Sequence, residues 1–339
     1  MLQNKTILIS PLNWGLGHAT RIVPIISKLK DDNKIIIASD LLPYQFLKSE
    51  FPNIKIIKFP SYTIKYSKKN IFMPIKMLFL SPKIFFGIIK EHFILKKLIK
   101  KHNIDIVISD NRFGLWNKKI YTIFMTHQIM IKMTKRLEFM EYFVFLLNKF
   151  FISKYNELWI PDFKGDNNLS GELSHKYSAH KNTKYIGIIS RFEKFNQKKT
   201  KKIEKKYDIV AIISGPEPQK TIFFNIIKNI LKNIDKKILI ISGNPGKFFS
   251  GNFNNVEIVN HLETSEMFAV IKNCELIISR AGYSTIMDLK VLNKKAILVP
   301  TPGQTEQEYL ANYLKNNKLF HFINQDELVN LKNYSIFEE

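Results

Sequence analysis

Two neighbouring stretches in the last third of the chain carry residue types suited to a phosphorylated ligand. They are Ser279-Arg-Ala-Gly-Tyr-Ser-Thr-Ile-Met-Asp288 and Pro300-Thr-Pro-Gly-Gln-Thr-Glu-Gln-Glu308. A glycine turn that opens a helix presents backbone N–H groups and the positive end of the helix dipole, which suits a phosphate. A carboxylate one helical turn in, here Asp288, suits a ribose diol. The apolar run Glu275-Leu-Ile-Ile-Ser279 predicts a buried parallel strand, residues 284–292 a helix capped by Ser284 or Thr285, and Lys295-Ala-Ile-Leu-Val-Pro300 a second strand. Ligands of open α/β sheets sit beyond the carboxyl ends of such strands. Arg280, Ala281, Gly282, Ser284, Asp288, Glu306, Gln307 and Glu308 are therefore expected at one crevice, read as a nucleotide-sugar site.

Two further loops follow a first strand and open a helix. Gly15-Leu-Gly-His18 lets the backbone approach a ligand at Gly15 and Gly17 and offers His18 as a general base, since an imidazole titrates near operating pH. It lacks the third glycine of a dinucleotide fingerprint, and a plain strand–helix turn is the competing reading. Ser214-Gly-Pro-Glu-Pro-Gln-Lys-Thr221 could cradle a phosphate through Ser214, Gly215 and the following helix, with Lys220 as a point charge, or be a loop punctuated by prolines. Asp110-Asn-Arg112-Phe and Thr126-His127-Gln128 lie at strand ends where they could contact an acceptor, a surface loop being the simpler reading for either, and Asp110 is a candidate to orient His18. There is no Asp-x-Asp to clamp magnesium and no histidine pair at ligand spacing, so no metal is expected.

The elements that must position these residues alternate strand and helix across 339 residues, long enough for two domains. Strands are read at 5–10, Lys34–Ser39, Ile54–Phe59, Ile104–Ser109, Tyr121–Met125, Glu157–Pro161 and Tyr185–Gly187, then at Tyr207–Ile213, Lys237–Ser242, Val256–Val259 and the two runs above. The class is α/β, with an acceptor-binding Rossmann-like domain over 1–190, a polar linker at about 190–206 and a donor-binding Rossmann-like domain over 207–339. Cys274 is the sole cysteine, which excludes an internal disulfide and fits a reducing compartment. The N-terminus lacks a signal-peptide layout, and no charge-free apolar run reaches spanning length.

The net charge of +23 favours anionic partners. Two segments, 70–101 and 129–154, mix bulky apolar residues with lysine, with Ser81-Pro82 read as a break in the first. Such a mixture suits an interfacial membrane helix, and equally a core-packing helix whose lysines face water. Nucleic acid is not expected, because there is no recognised binding module and arginine is scarce.

Taken together, these residues resemble GT-B glycosyltransferases, and most closely the MurG-like family, which transfers N-acetylglucosamine from its UDP donor to a lipid-linked acceptor. The resemblance runs from residue 6 to about 316 and is carried by Gly15-Leu-Gly-His18, Ser214-Gly-Pro, Ser279-Arg-Ala-Gly282, Asp288 where the family has glutamate, Val299-Pro-Thr followed by Gln307-Glu-Tyr, and Thr126-His-Gln. It implies two Rossmann-like domains facing each other across a cleft. It also implies a nucleotide-sugar donor, a glycan or lipid-linked acceptor, no cofactor or metal, an inverting transfer with His18 as base, and a cytoplasmic protein peripheral on the membrane. A nucleotide-sugar 2-epimerase or hydrolase of the same fold, and a non-catalytic basic membrane-surface protein, are the alternatives.

Overall fold

Unbroken runs of isoleucine, leucine and valine become the inner strands of two parallel sheets, as expected where helices cover both faces. The computed structural model describes residues 3–60, 73–197, 207–244, 250–253 and 255–329. The chain divides into two compact units, one ending at Ile189 and one beginning at Ser190.

The first unit contains β1 (Thr6–Pro11), α1 (Leu16–Leu29), β2 (Lys34–Ser39), α2 (Leu41–Glu50), β3 (Lys55–Lys58), α3 (Met73–His102), β4 (Ile106–Asp110) and β5 (Tyr121–Met125). A 3-10 turn (Lys135–Met140) leads into α4 (Glu141–Ile152), followed by β6 (Glu157–Ile160), α5 (Glu172–His175) and β7 (Thr183–Tyr185). Its seven strands lie in the order β3-β2-β1-β4-β5-β6-β7 and pair in parallel throughout. The direction of winding reverses between β1 and β4, so the loops after those strands flank the switch point where such sheets bind ligands. Leu8, Ile36, Val107, Leu95 and Leu98 form one core between sheet and α3.

The second unit contains α6 (Glu193–Gln197), β8 (Ile209–Ile212), α7 (Gln219–Leu231), β9 (Ile238–Ile241), β10 (Ser250–Phe253), β11 (Val256–Val259), α8 (Thr264–Asn273) and β12 (Leu276–Arg280). It ends with α9 (Tyr283–Leu292), β13 (Ala296–Val299), α10 (Thr305–Tyr313), β14 (Phe320–Phe322) and α11 (Gln325–Val329). The sheet order is β10-β11-β9-β8-β12-β13-β14, with β10 antiparallel to β11 and the other pairs parallel. Here the switch point lies between β8 and β12.

Several boundaries differ from the sequence reading. Pro82 does not break the first basic apolar segment, because it lies inside the 30-residue α3. One proline removes one ladder hydrogen bond, a loss that the rest of a long helix absorbs. Helix α9 begins at Tyr283 with Gly282 as its N-cap, one residue ahead of Ser284. Strand β7 covers Thr183–Tyr185 instead of starting at Tyr185. The short β10 and β14 have no reading in the sequence, since Ser250-Gly-Asn lacks strand-forming side chains and β14 is three residues long. The stretch read as a linker opens with α6, and residues 198–206 lie outside the described residues, as do 70–72 of the first basic segment.

Candidate functional site

In the first unit, Gly15 has φ 151°, a conformation that disfavours a side chain, and turns the chain directly into α1. Gly17 and His18 therefore sit in the first turn of that helix. No side chain caps it. His18 Nδ1 lies 3.1 Å from the Asp110 carboxylate at the end of β4, which is fully buried. Arg21, one turn along α1 from His18 and 2% exposed, grips the same carboxylate through Nε at 2.8 Å and through Nη2 to the second oxygen. Its Nη1 reaches His127 Nδ1 at 2.7 Å, and its Nη2 also lies 2.9 Å from His18 Nδ1. The switch point of this unit is thus a buried cluster of one carboxylate, one guanidinium and two imidazoles.

The electrostatics of this cluster follow from its burial and its contents. Burial pushes the His18 pKa below its ordinary value, with Arg21 adding to the effect and Asp110 opposing it. Asp110 is held below the usual carboxylate range because Arg21 and His18 outweigh the desolvation that would raise it. At neutral pH the arrangement presents a neutral imidazole beside an ionised carboxylate, the net charge from which a general base starts.

Of the other acceptor-side candidates, Arg112 packs within the fold. Arg112 was expected to face a ligand, but it is fully buried. It donates to Glu91 at 2.8 Å, Ser10 Oγ at 3.1 Å and the Pro60 carbonyl at 3.1 Å, and its guanidinium lies 4.2 Å over the Phe59 ring. A guanidinium with these contacts ties α3 to the sheet. Gln128 follows a turn in which its own N–H donates to Thr126 Oγ1 at 3.0 Å. An open cavity of about 450 Å³ near α5 and β7, lined by His175, Tyr177, His180 and Tyr185 among others, includes none of the candidate residues.

The second unit is built differently. Gly215, after β8, has φ 110°, so only glycine sits there without strain. Lys220 in α7 turns away from a point-charge role on that loop, donating to the Gly243 carbonyl at 2.9 Å and to Asn244 Oδ1 at 2.5 Å. Ala281 is buried and Gly282 caps α9.

Arg280, expected among the ligand-facing residues, is turned into the fold. It is 1% exposed, donates to the carbonyls of Pro300 and Gln219 and to Gln325 Oε1, and stacks 4.0 Å over Phe223. Burial lowers its pKa to about 9. Strand alternation turns this side chain under the loop, against α7 and α11.

Gln307 and Glu308 likewise hold the loop after β13. Gln307 Oε1 accepts from Thr301 N at 2.8 Å, its amide donates to Gln304 Oε1, and Glu308 accepts from Gly303 N at 2.9 Å. Glu306 is half-buried beside them, as is Ser284 in the first turn of α9.

Asp288 accepts from Ser190 Oγ at 2.5 Å and from the Arg191 backbone, with Arg191 Nε 3.7 Å away. Burial raises its pKa to about 6 in spite of these partners. A ribose would meet a carboxylate that is already partly occupied. Arg21, Ser190 and Arg191 had no place in the sequence reading. The one available signal was the i, i+3 spacing of His18 and Arg21 on an otherwise apolar helix face. Among the described residues, no group of three or more acidic, histidine or cysteine side chains is arranged to hold a metal ion.

Comparison with known proteins finds glycosyltransferases. Residues 192–334 match the glycosyltransferase family 28 C-terminal domain. A UDP-N-acetylglucosamine--N-acetylmuramyl-(pentapeptide) pyrophosphoryl-undecaprenol N-acetylglucosamine transferase of Prochlorococcus marinus (strain MIT 9301) is 29% identical over 39% of this chain and 36% of its own length. The chain thus spans about a third of that relative. The protein of the same name from Borreliella burgdorferi is 25% identical over 100% of this chain and 89% of its own length. The solved glycotransferase of kitacinnamycin shares the fold at TM-score 0.59 and 12% identity, covering 100% of this chain and 93% of that one. The chain thus has the GT-B fold and is similar to MurG-like glycosyltransferases, with residues 192–334 matching the family 28 C-terminal domain.

Proposed function

We propose that the chain is a glycosyltransferase moving a hexosyl or N-acetylhexosaminyl group from a nucleotide diphosphate sugar, with UDP as the nucleotide, to a hydroxyl of a lipid-linked or envelope glycan. The observation that carries the proposal is the family 28 match over residues 192–334, which contains both the Ala281-Gly282 turn and Asp288. In this reading the diphosphate lies at the start of α9 and beside the Ser214-Gly215 loop. Backbone N–H groups and the helix dipole stabilise the departing phosphate without a metal. Asp288 receives the ribose, and Glu306, in the first turn of α10, reads the sugar. His18 takes the proton from the acceptor hydroxyl as it attacks the anomeric carbon with inversion, and Asp110 stabilises the imidazolium that forms.

The membrane part of the reading rests on one face of the first unit. Helix α4 exposes Phe143, Leu146, Leu147 and Phe150, and α3 exposes Phe85, Phe86 and Phe93. Lysines accompany them, with Lys154 4.2 Å over Phe150 and Lys96 5.2 Å over Phe93. Exposed aromatics ringed by lysine suit the interface of an anionic bilayer, where a lipid-linked acceptor resides. Among the described residues no helix is long and apolar enough to cross a membrane.

Calorimetric titration with UDP, TDP and GDP in EDTA, on wild type and Asp288→Ala, tests the donor site. The expected result is micromolar binding of UDP without metal, lost in the variant. Failure of every nucleotide to bind would remove the transferase reading. Flotation with vesicles containing anionic lipid, on wild type and Phe143→Ser/Phe150→Ser, tests the membrane face.

A further inference from the structure

The group around His18 contains more donors than the proposed base chemistry needs. The ionisable residues facing His18 are Arg21 on its own helix, Asp110 from β4 and His127 from the loop after β5. Two of them address the same atom: Asp110 Oδ2 lies 3.1 Å from His18 Nδ1 and Arg21 Nη2 lies 2.9 Å from it. A carboxylate can only accept there and a guanidinium can only donate. The two contacts therefore belong to different tautomers. With a hydrogen on Nδ1, His18 donates to Asp110 and its Nε2 lone pair is available to take a proton. With the lone pair on Nδ1, His18 accepts from Arg21 and carries its hydrogen on Nε2, where it cannot act as a base.

Counting hydrogens decides between them. Asp110 keeps Arg21 Nε on one oxygen and Nη2 on the other in either tautomer, so it is satisfied both ways. Arg21 is 2% exposed, and its second Nη2 hydrogen loses its acceptor if His18 Nδ1 is protonated. Orphaning a buried donor is costly, and the cost is larger for a charged group. The parallel contact on His127, Nη1 to Nδ1 at 2.7 Å, shows Arg21 treating a second imidazole as an acceptor.

We propose that Arg21 is a positioning residue that holds resting His18 in its Nε2–H tautomer, so that transfer of Nδ1 from Arg21 to Asp110 must precede proton abstraction. The catalytic part of this inference rests on the transferase reading above, whereas the tautomer itself does not. In the base-competent tautomer the Nδ1 hydrogen and the Arg21 hydrogen face each other, and the imidazole leans on Asp110 instead.

The test is nitrogen-15 NMR of the imidazoles in the full chain without ligand, using long-range proton–nitrogen correlations assigned through His18→Gln and His127→Gln. In wild type the expected pattern for both residues is an unprotonated Nδ1 and a protonated Nε2. Arg21→Lys keeps a cation for Asp110 but removes the fork, and it should shift His18 to a protonated Nδ1. A wild-type His18 with protonated Nδ1 would overturn the proposal and needs no variant to fold. An Arg21→Lys protein that is folded by circular dichroism but keeps the wild-type tautomer would overturn it as well. Nucleotide titration on the same samples reports separately on the transferase reading, so loss of that reading leaves the tautomer result interpretable. If transfer activity is measured, Arg21→Lys should change the pH profile of kcat and leave the KM for donor within twofold. A profile unchanged from wild type would reject the gating role.

Discussion

The switch points of the two units share a topology and differ in what they present. In the first, the loops after β1 and β4 bring together the ionisable side chains His18, Arg21 and Asp110, joined by His127 after β5. In the second, the side chains nearest the equivalent loops are turned inward: Arg280 packs beneath the sheet end and Lys220 binds the loop after β9. The glycines Gly215 and Gly282 and the start of α9 lie at these loops, with Ser214 and Ser284 half-buried beside them. On the proposed reading, one fold yields a site for moving protons and a site for cradling an anion. The difference lies in what the buried side chains meet: Arg21 meets a carboxylate and two imidazoles, whereas Arg280 meets carbonyls, an amide and a ring.

The largest effect should come from breaking the first site. His18→Ala should lower kcat by about 10²–10⁴-fold, the usual value of general-base help, while nucleotide affinity measured by calorimetry stays unchanged. Equal loss of nucleotide binding would mean that the two sites do not divide the work in this way.

Next in size is the inward arginine of the second unit. Arg280→Ala removes a buried cation with three acceptors and a stacked ring, and should destabilise that unit by about 3 kcal/mol in urea unfolding. A mutant of unaltered stability that loses nucleotide binding would return Arg280 to the ligand.

Asp288 sharpens the comparison through pH. Its folded pKa is raised from 3.8 to about 6, so the folded state holds this proton more tightly than the unfolded chain does. The associated stability is present in full below the unfolded pKa and is lost as pH rises through about 6. Over that window the second unit should weaken by on the order of 2–3 kcal/mol from this group, and Asp288→Asn should flatten the dependence, as read by denaturation at pH 4 and pH 7. In the first unit Asp110 shifts the opposite way, so its contribution is lost on acidification instead.

The smallest effect belongs to the backbone cradle. A Cβ on Gly215 would find Thr301 Oγ1 at 3.9 Å, which is ordinary contact, so Gly215→Ala pays in conformation alone. At φ 110° that should be about 1–2 kcal/mol, seen as a lowered Tm.

The sequence determined a good deal of this protein by itself. Runs of four to six residues rich in β-branched and other apolar side chains become buried strands, so Lys34–Ser39, Tyr121–Met125 and Val256–Val259 appear at the bounds their composition predicts. Glycine turns after strands locate helix starts for the same local reason, as at Gly15 and Gly282. Short strands such as Phe320–Phe322 are decided by a neighbour to pair with, which no local pattern records.

The direction of each polar side chain is a matter for the tertiary structure. Arg112 and Arg280 stand beside candidate loops in sequence yet are buried in packing contacts, because strand alternation and the helices above decide which way a side chain turns. Arg21 reads as one more basic residue on a chain of net charge +23. Only the fold brings it onto Asp110, which lies 89 residues away in sequence. Residue types and spacing report where a site can be. Hydrogen-bond partners distant in sequence determine which of its residues meet, since a buried charge goes wherever its counter-charge or its acceptors are held.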